Sequence, residues 1–145
     1  MLGVDFGEKQ IGLALSDPTG AIALPRGVLE RTTDRRAVYA LAAIAREENV
    51  GLIAVGCPRH VDGSPTAMTE RTARFARKLA RAARLPVRLV EETLTSREAV
   101  ARLRAAGYDE RRRSDRRDAI AAQLIVEDAL GGAGRALDDA SEGAS

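Results

Sequence analysis

Hydrophobic and polar residues alternate with a period of two at the start of the chain and with longer periods after it. Leu2, Val4 and Phe6 share one face of a strand, and Ile11, Leu13 and Leu15 repeat the pattern after Gly7-Glu8-Lys9, which reads as a hairpin turn. Residues 20–29, after the turn Asp17-Pro18-Thr19-Gly20, read as a third strand that Pro25 confines to a sheet edge. The period then becomes helical. Thr33 or Asp34 caps a run to about Glu48 in which Val38, Leu41, Ala42, Ile44 and Ala45 form one apolar stripe. Residues 51–56 are a short continuous apolar run, as expected of a strand covered on both faces. A loop over 57–65 leads into a helix over 66–84 with Phe75, Ala76, Leu79, Ala80 and Ala83 on one side, and residues 86–90 form the last strand. Thr95-x-x-Glu98 is a capping box for a helix ending at Gly107, and residues 118–130 form a final helix stopped by Gly131-Gly132. The expected architecture is α/β: a mixed five-stranded sheet, made of a three-strand antiparallel meander and two parallel strands, flanked by helices. Residues 1–130 form its single domain, and the acidic residues 131–145 read as a disordered tail.

One residue breaks the opening pattern. Asp5 puts a carboxylate in the middle of an apolar strand, where a charge is costly unless it is paired, hydrogen-bonded or bound to metal. The face it shares with Gly3 meets Gly12, Ala14 and Ser16 on the second strand, all small, which leaves room for a ligand. Two further acids stand at element ends. Glu91 and Glu92 follow the last strand, where ligands dock in open α/β sheets, and Asp118 opens the final helix. Asp118 alone would be accounted for by capping and the helix dipole, and Glu98 by its capping box. His60, the only histidine, lies in the loop over 57–65 and reads as solvated rather than catalytic, while Arg59 beside it is the loop's candidate phosphate ligand.

Composition narrows the class. A chain of 145 residues can bury one sizeable core, the single Cys57 cannot form an internal disulfide, and neither a membrane-length apolar run nor a basic-plus-apolar leader is visible. The expectation is a soluble cytoplasmic protein without a membrane partner. Net charge is only +2, yet residues 71–117 hold 15 of the 23 basic residues against 6 acids. Arg71, Arg74, Lys78 and Arg81 line one face of the helix over 66–84, and Arg111, Arg112, Arg113, Arg116 and Arg117 fall in a polar loop. Such a concentration is either a solvated charge run or a nucleic-acid footprint.

Four motifs carry a family resemblance: Val4-Asp5-Phe6-Gly7 with Ile11-Gly12-Leu13-Ala14, Val55-Gly56-Cys57-Pro58 with Asp62-Gly63-Ser64, Glu91-Glu92-Thr93-Leu94-Thr95, and Asp118-Ala119-Ile120-Ala121-Ala122. On these the chain resembles the YqgF/RuvX family of Holliday-junction-resolvase-like proteins, also described as pre-16S rRNA nucleases, over residues 1 to about 130. The resemblance implies a ribonuclease H-like fold and metal-dependent phosphodiester hydrolysis, with Asp5, Glu92 and Asp118 as catalytic acids that bind one or two Mg²⁺ or Mn²⁺ ions. Implied partners are RNA, structured DNA such as Holliday junctions, and a second copy of the chain. Lys9, Arg59, Arg88, Arg111, Arg112, Arg113, Arg116 and Arg117 are the candidate nucleic-acid contacts. The chain departs from the family pattern at Glu91, where Asp is usual, and at Thr93, where Arg is usual. Two other readings stand beside this one: a nucleic-acid-binding factor in rRNA maturation or transcription whose acids no longer catalyse, and an ATP phosphotransferase of the actin and sugar-kinase type, which Asp5-Phe6-Gly7 also resembles but which needs two such domains.

Overall fold

A computed structural model of the chain describes residues 1–7, 9–93, 121–132 and 134–136. Strands β1 (Leu2–Phe6), β2 (Gln10–Ser16) and β3 (Ala23–Glu30) form the expected antiparallel meander, followed by helix α1 (Asp34–Glu47), strand β4 (Ile53–Arg59), helix α2 (Ala67–Ala83), strand β5 (Val87–Thr93) and a two-residue strand β6 (Arg135–Ala136). The sheet order is β3-β2-β1-β4-β5-β6, with β1, β4 and β5 parallel and the other pairings antiparallel. Five of these strands are the expected ones. The sixth falls in the stretch read as a tail, where Arg135 pairs with Leu89 and Ala136 with Arg88; two residues are too few to leave a periodic signal.

The two faces of the sheet are covered differently. Leu2, Val4 and Phe6 of β1, Ile53, Val55 and Cys57 of β4, and Val87 and Leu89 of β5 meet α1 and α2 in the main core. Phe6 stacks on Phe75 of α2 with ring centroids 4.3 Å apart, and the Arg31 guanidinium lies 5.0 Å over Phe6. α1 starts at the expected Thr33 cap, and α2 starts at a second cap, Thr66. Thr33 Oγ1 accepts from Arg36 N, and at Thr66 the cap is reciprocal, with Thr66 Oγ1 accepting from Met68 N and Thr69 Oγ1 from Thr66 N. Thr69 Oγ1 also donates to Pro58 O at 2.6 Å, which staples the start of α2 to the end of β4.

Residues 121–130 are helical and lie on the opposite face. Ala122 and Val126 pack with Ala14 and Ala23, while Ile125 and Ala129 pack with Ala54 and Val90. Here the expectation of open space is corrected. A Cβ at Gly3 would overlap Val126 Cγ2 and stand 2.8 Å from Ala122 O, and one at Gly56 would overlap Ile125 Cδ1. The small residues of this face admit a helix backbone, and Ser16 accepts a hydrogen bond from the Met1 amine at 2.9 Å. Residues 94–120, with the Thr95 capping box, Asp118 and the basic cluster over 111–117, lie outside the described residues, as does the tail beyond 136.

Candidate active site

Asp5 lies at the centre of the sheet. It pairs with Gly12 across the β1–β2 ladder and stands one position beyond the Val4–Val55 pair of β1 with β4, level with Gly56. Side chains alternate along a strand, so Asp5 shares the face of Gly3, which carries the helical segment 121–130. It is 5% exposed.

Glu92 belongs to β5 rather than to a segment after it. The ladder with β4 continues through Cys57–Glu91, Pro58–Glu92 and Arg59–Thr93, so the loop expected from position 57 begins only at His60. Because both glutamates are in a strand, they point to opposite faces. Glu92 follows Arg88 and Val90 onto the face of Asp5 and Gly56, and is 9% exposed. Glu91 follows Leu89 onto the other face, where its side chain is 64% exposed and Oε1 lies 3.1 Å from Arg59 Nε. One strand, β4, separates β1 from β5, so the backbones of Asp5 and Glu92 are roughly 10 Å apart across the sheet. The Glu92 side chain passes over β4 at Gly56, its Cγ 3.5 Å from where a Cβ would stand there. Gly56 admits Ile125, and the Glu92 stem lies within van der Waals range of the same position. A glycine inside an apolar strand marks such a close approach, and that was the signal available in the sequence.

The candidate cations divide. Arg59 is the last residue of β4; besides Glu91 it meets the loop, donating from Nη1 to Gly63 O at 3.2 Å. Asp62 shapes that loop by accepting from the Ser64 hydroxyl and the Ser64 backbone N–H, which hold its carboxyl below the ordinary aspartate range. A depressed pKa means the contribution is present at neutral pH and is lost as pH falls through the folded-state value. Arg88 lies on the Glu92 face but four residues earlier, roughly 13 Å toward the amino end of the strand, where Nη1 donates to Ala129 O at 3.3 Å at the end of the helical segment. Its charge complements a helix C-terminus rather than the acids. Lys9 is exposed at the hairpin, and His60 is exposed in the loop. Among the described residues no three His, Cys, Asp or Glu side chains gather closely enough to hold a metal. Among the described residues, Asp5 and Glu92 are the two buried acids, and they share one face of the sheet.

Glu91→Gln is expected to leave turnover within about twofold of wild type, since an exposed ion pair contributes little and the side chain faces away from Asp5. Steady-state cleavage rates beside those of Glu92→Gln check this.

The scaffold is a ribonuclease H-like sheet with acids toward the carboxyl ends of its central parallel strands. The family model described as "RuvX: Holliday junction resolvase" matches residues 1–132, and the chain belongs to this family. A relative from Maridesulfovibrio salexigens is 41% identical over 127 residues, covering 88% of this chain and 94% of that protein. Another, from Anaeromyxobacter sp., is 40% identical over 131 residues, covering 90% and 96%. Both carry the name "Putative pre-16S rRNA nuclease". Among solved structures, Thermus thermophilus RuvC aligns with a TM-score of 0.53 and 15% identity over 94% of this chain and 98% of that one. RuvC in complex with a Holliday junction substrate aligns equally, at 13% identity. At these identities the likeness concerns the fold.

Proposed function

We propose that this chain is a metal-dependent nuclease acting on RNA, with 5′-end maturation of pre-16S rRNA as its task and branched DNA as a second substrate. The observation that carries this reading is the pair Asp5 and Glu92, buried on one face across β4, in a chain whose relatives are named for rRNA cleavage. Asp118, three residues before the helical segment packed on that face, is the third acid. Carboxylate oxygens of this kind suit Mg²⁺ or Mn²⁺, which take one or two carboxylates together with substrate phosphate. When bound, such an ion supplies Lewis-acid activation of the phosphate and of water.

The chain's own residues supply the rest. Asp5 is fixed by its pairing with Gly12 of β2, just past the end of the β1–β4 ladder, and Glu92 lies over Gly56, so the two donors need little ordering when substrate arrives. Arg111, Arg112, Arg113, Arg116 and Arg117 neutralise backbone phosphates, with Lys9 at the hairpin as a further contact. Among the described residues no helix is long and apolar enough to cross a membrane, which accords with work on rRNA in the cytoplasm.

The test compares structured RNA, single-stranded RNA and a four-way DNA junction with Mg²⁺, Mn²⁺ and chelator. RNA cleavage with either ion and none with chelator is expected; preferential cutting of the junction would reverse the order of substrates, and cleavage untouched by chelator would overturn the metal. Binding without cleavage under every condition would leave the protein as an RNA-binding factor. Replacing Arg111, Arg112 and Arg113 by Ala is expected to weaken binding on every sequence alike and to flatten the fall of log K with log salt by about 0.7 per lost contact on single strands. An unchanged slope would make that cluster a solvated charge run.

A further inference from the structure

α1 and α2 cover the face of the sheet away from Asp5 and Glu92, and between them runs a groove of about 430 Å³ lined by Arg35, Val38, Tyr39, Lys78, Arg81 and Ala82. Its chemistry is unusual for a packed helix pair. Tyr39 is one of four large hydrophobic residues among those described that stand in solvent, at 61% exposure, and the Arg35 guanidinium lies 5.8 Å from its ring centroid. Lys78 and Arg81 face them from α2. The acid in contact is Asp34, whose carboxylate lies 2.8 Å from Arg31 and 3.9 Å from Lys78. Val38 and Ala82 of this lining belong to the main core or pack against it, whereas Arg35, Tyr39, Lys78 and Arg81 take no part in it.

We propose that this groove is a second binding site for single-stranded RNA, a base stacking on Tyr39 and the flanking phosphates meeting Arg35, Lys78 and Arg81. An exposed ring beside several cations fits a ligand that carries both a flat π-face and regularly spaced negative charge. An acidic peptide offers the charge without the ring, and the narrow apolar lining, Val38 and Ala82, is too small for a lipid surface. The site has an approach from the carboxyl edge of the sheet. α2 starts there, stapled by Thr69 to Pro58, and Arg71 and Arg74 precede Lys78 and Arg81 on its exposed side, so the four cations extend roughly 15 Å along the helix axis. RNA engaged at the acids can turn over that edge and follow these residues into the groove. The inference rests on the nucleic-acid reading of the chain and adds to it a site remote from cleavage.

Anisotropy of a fluorescently labelled oligoadenylate, measured in chelator so that nothing is cut, tests it. Tyr39→Ala is expected to weaken binding at least about fivefold, the effect of one lost stack, while Tyr39→Phe keeps wild-type affinity. Lys78→Gln with Arg81→Gln is expected to weaken binding and to reduce the salt slope by about 1.4, two contacts on a single strand. All these side chains are at the surface, so melting temperatures should not move, and Mg²⁺-dependent cleavage of an RNA too short to reach the groove should stay at the wild-type rate. Wild-type affinity in Tyr39→Ala overturns the groove, as does an acidic peptide that displaces oligoadenylate from wild type and binds Tyr39→Ala equally well. The two readings fail separately: wild-type affinity in Tyr39→Ala with cleavage lost in Asp5→Asn removes the groove alone, whereas Tyr39-dependent binding without any cleavage removes the nuclease alone.

Discussion

Asp5→Asn and Glu92→Gln are each expected to lower phosphodiester cleavage by about a thousandfold, the equivalent of roughly 4 kcal/mol of lost transition-state stabilisation, on the proposal that each carboxylate holds a catalytic cation. Both changes keep the shape of the side chain, and both positions are buried, so any repacking would appear in a thermal melt. The melting temperature in chelator is expected to stay close to wild type, because each amide keeps the size of the carboxylate and one oxygen that accepts hydrogen bonds. Single-turnover cleavage with saturating Mg²⁺, together with melts in chelator, separates the two effects. Near-wild-type turnover in Glu92→Gln would transfer the role to Glu91 and contradict the division of the two glutamates between faces. Full activity in both variants would remove the nuclease reading.

A large effect on stability is expected from Gly56→Ala. The added Cβ would overlap Ile125 Cδ1, stand 2.9 Å from Ile125 Cγ1 and touch Glu92 Cγ at 3.5 Å. Overpacking of this kind costs roughly 1–3 kcal/mol, which lowers the melting temperature of a chain this size by about 3–15 °C. The obstructing atoms are the outer part of one side chain, so Ile125→Ala removes them. The double variant is expected to be more stable than the two single effects summed, with a coupling of about 0.5–3 kcal/mol. Gly3→Ala has no such remedy, because the backbone oxygen of Ala122 stands 2.8 Å from its Cβ position. Additive effects in the Gly56–Ile125 cycle would mean that the helical segment does not rest on β4.

The sheet was legible where one face is buried and the other is not. Leu2, Val4 and Phe6 against Gly3 and Asp5 leave a single register for β1, and Thr33 and Thr66 announce their helices because a hydroxyl there satisfies backbone donors that would otherwise have no partner. The end of β5 was not legible. Glu91-Glu92-Thr93 has the composition of a loop, yet it stays extended because Cys57, Pro58 and Arg59 offer it a ladder, a tertiary pairing that local propensity cannot register. Once the strand is known to continue, alternation from Leu89 separates Glu92 from Glu91 without further information. The small residues Gly3, Ala14 and Gly56 carried a real signal with two meanings. A missing Cβ admits a ligand or a helix equally well, and only the packed position of Val126 and Ile125 decides between them.

The strand order has a consequence for the protein during its own synthesis. β1, β2 and β3 follow one another directly, so the meander can close as soon as it leaves the ribosome. Asp5 acquires its partner only after β4 has inserted beside β1 and β5 has added to β4, parallel pairings that bridge long stretches of chain and are slow to form. At typical elongation rates Glu92 emerges on the order of ten seconds after Asp5, and Ile125, which fills the space over Gly56, later still. A nascent chain therefore carries Asp5 for much of its translation without the second carboxylate that later joins it on the same face.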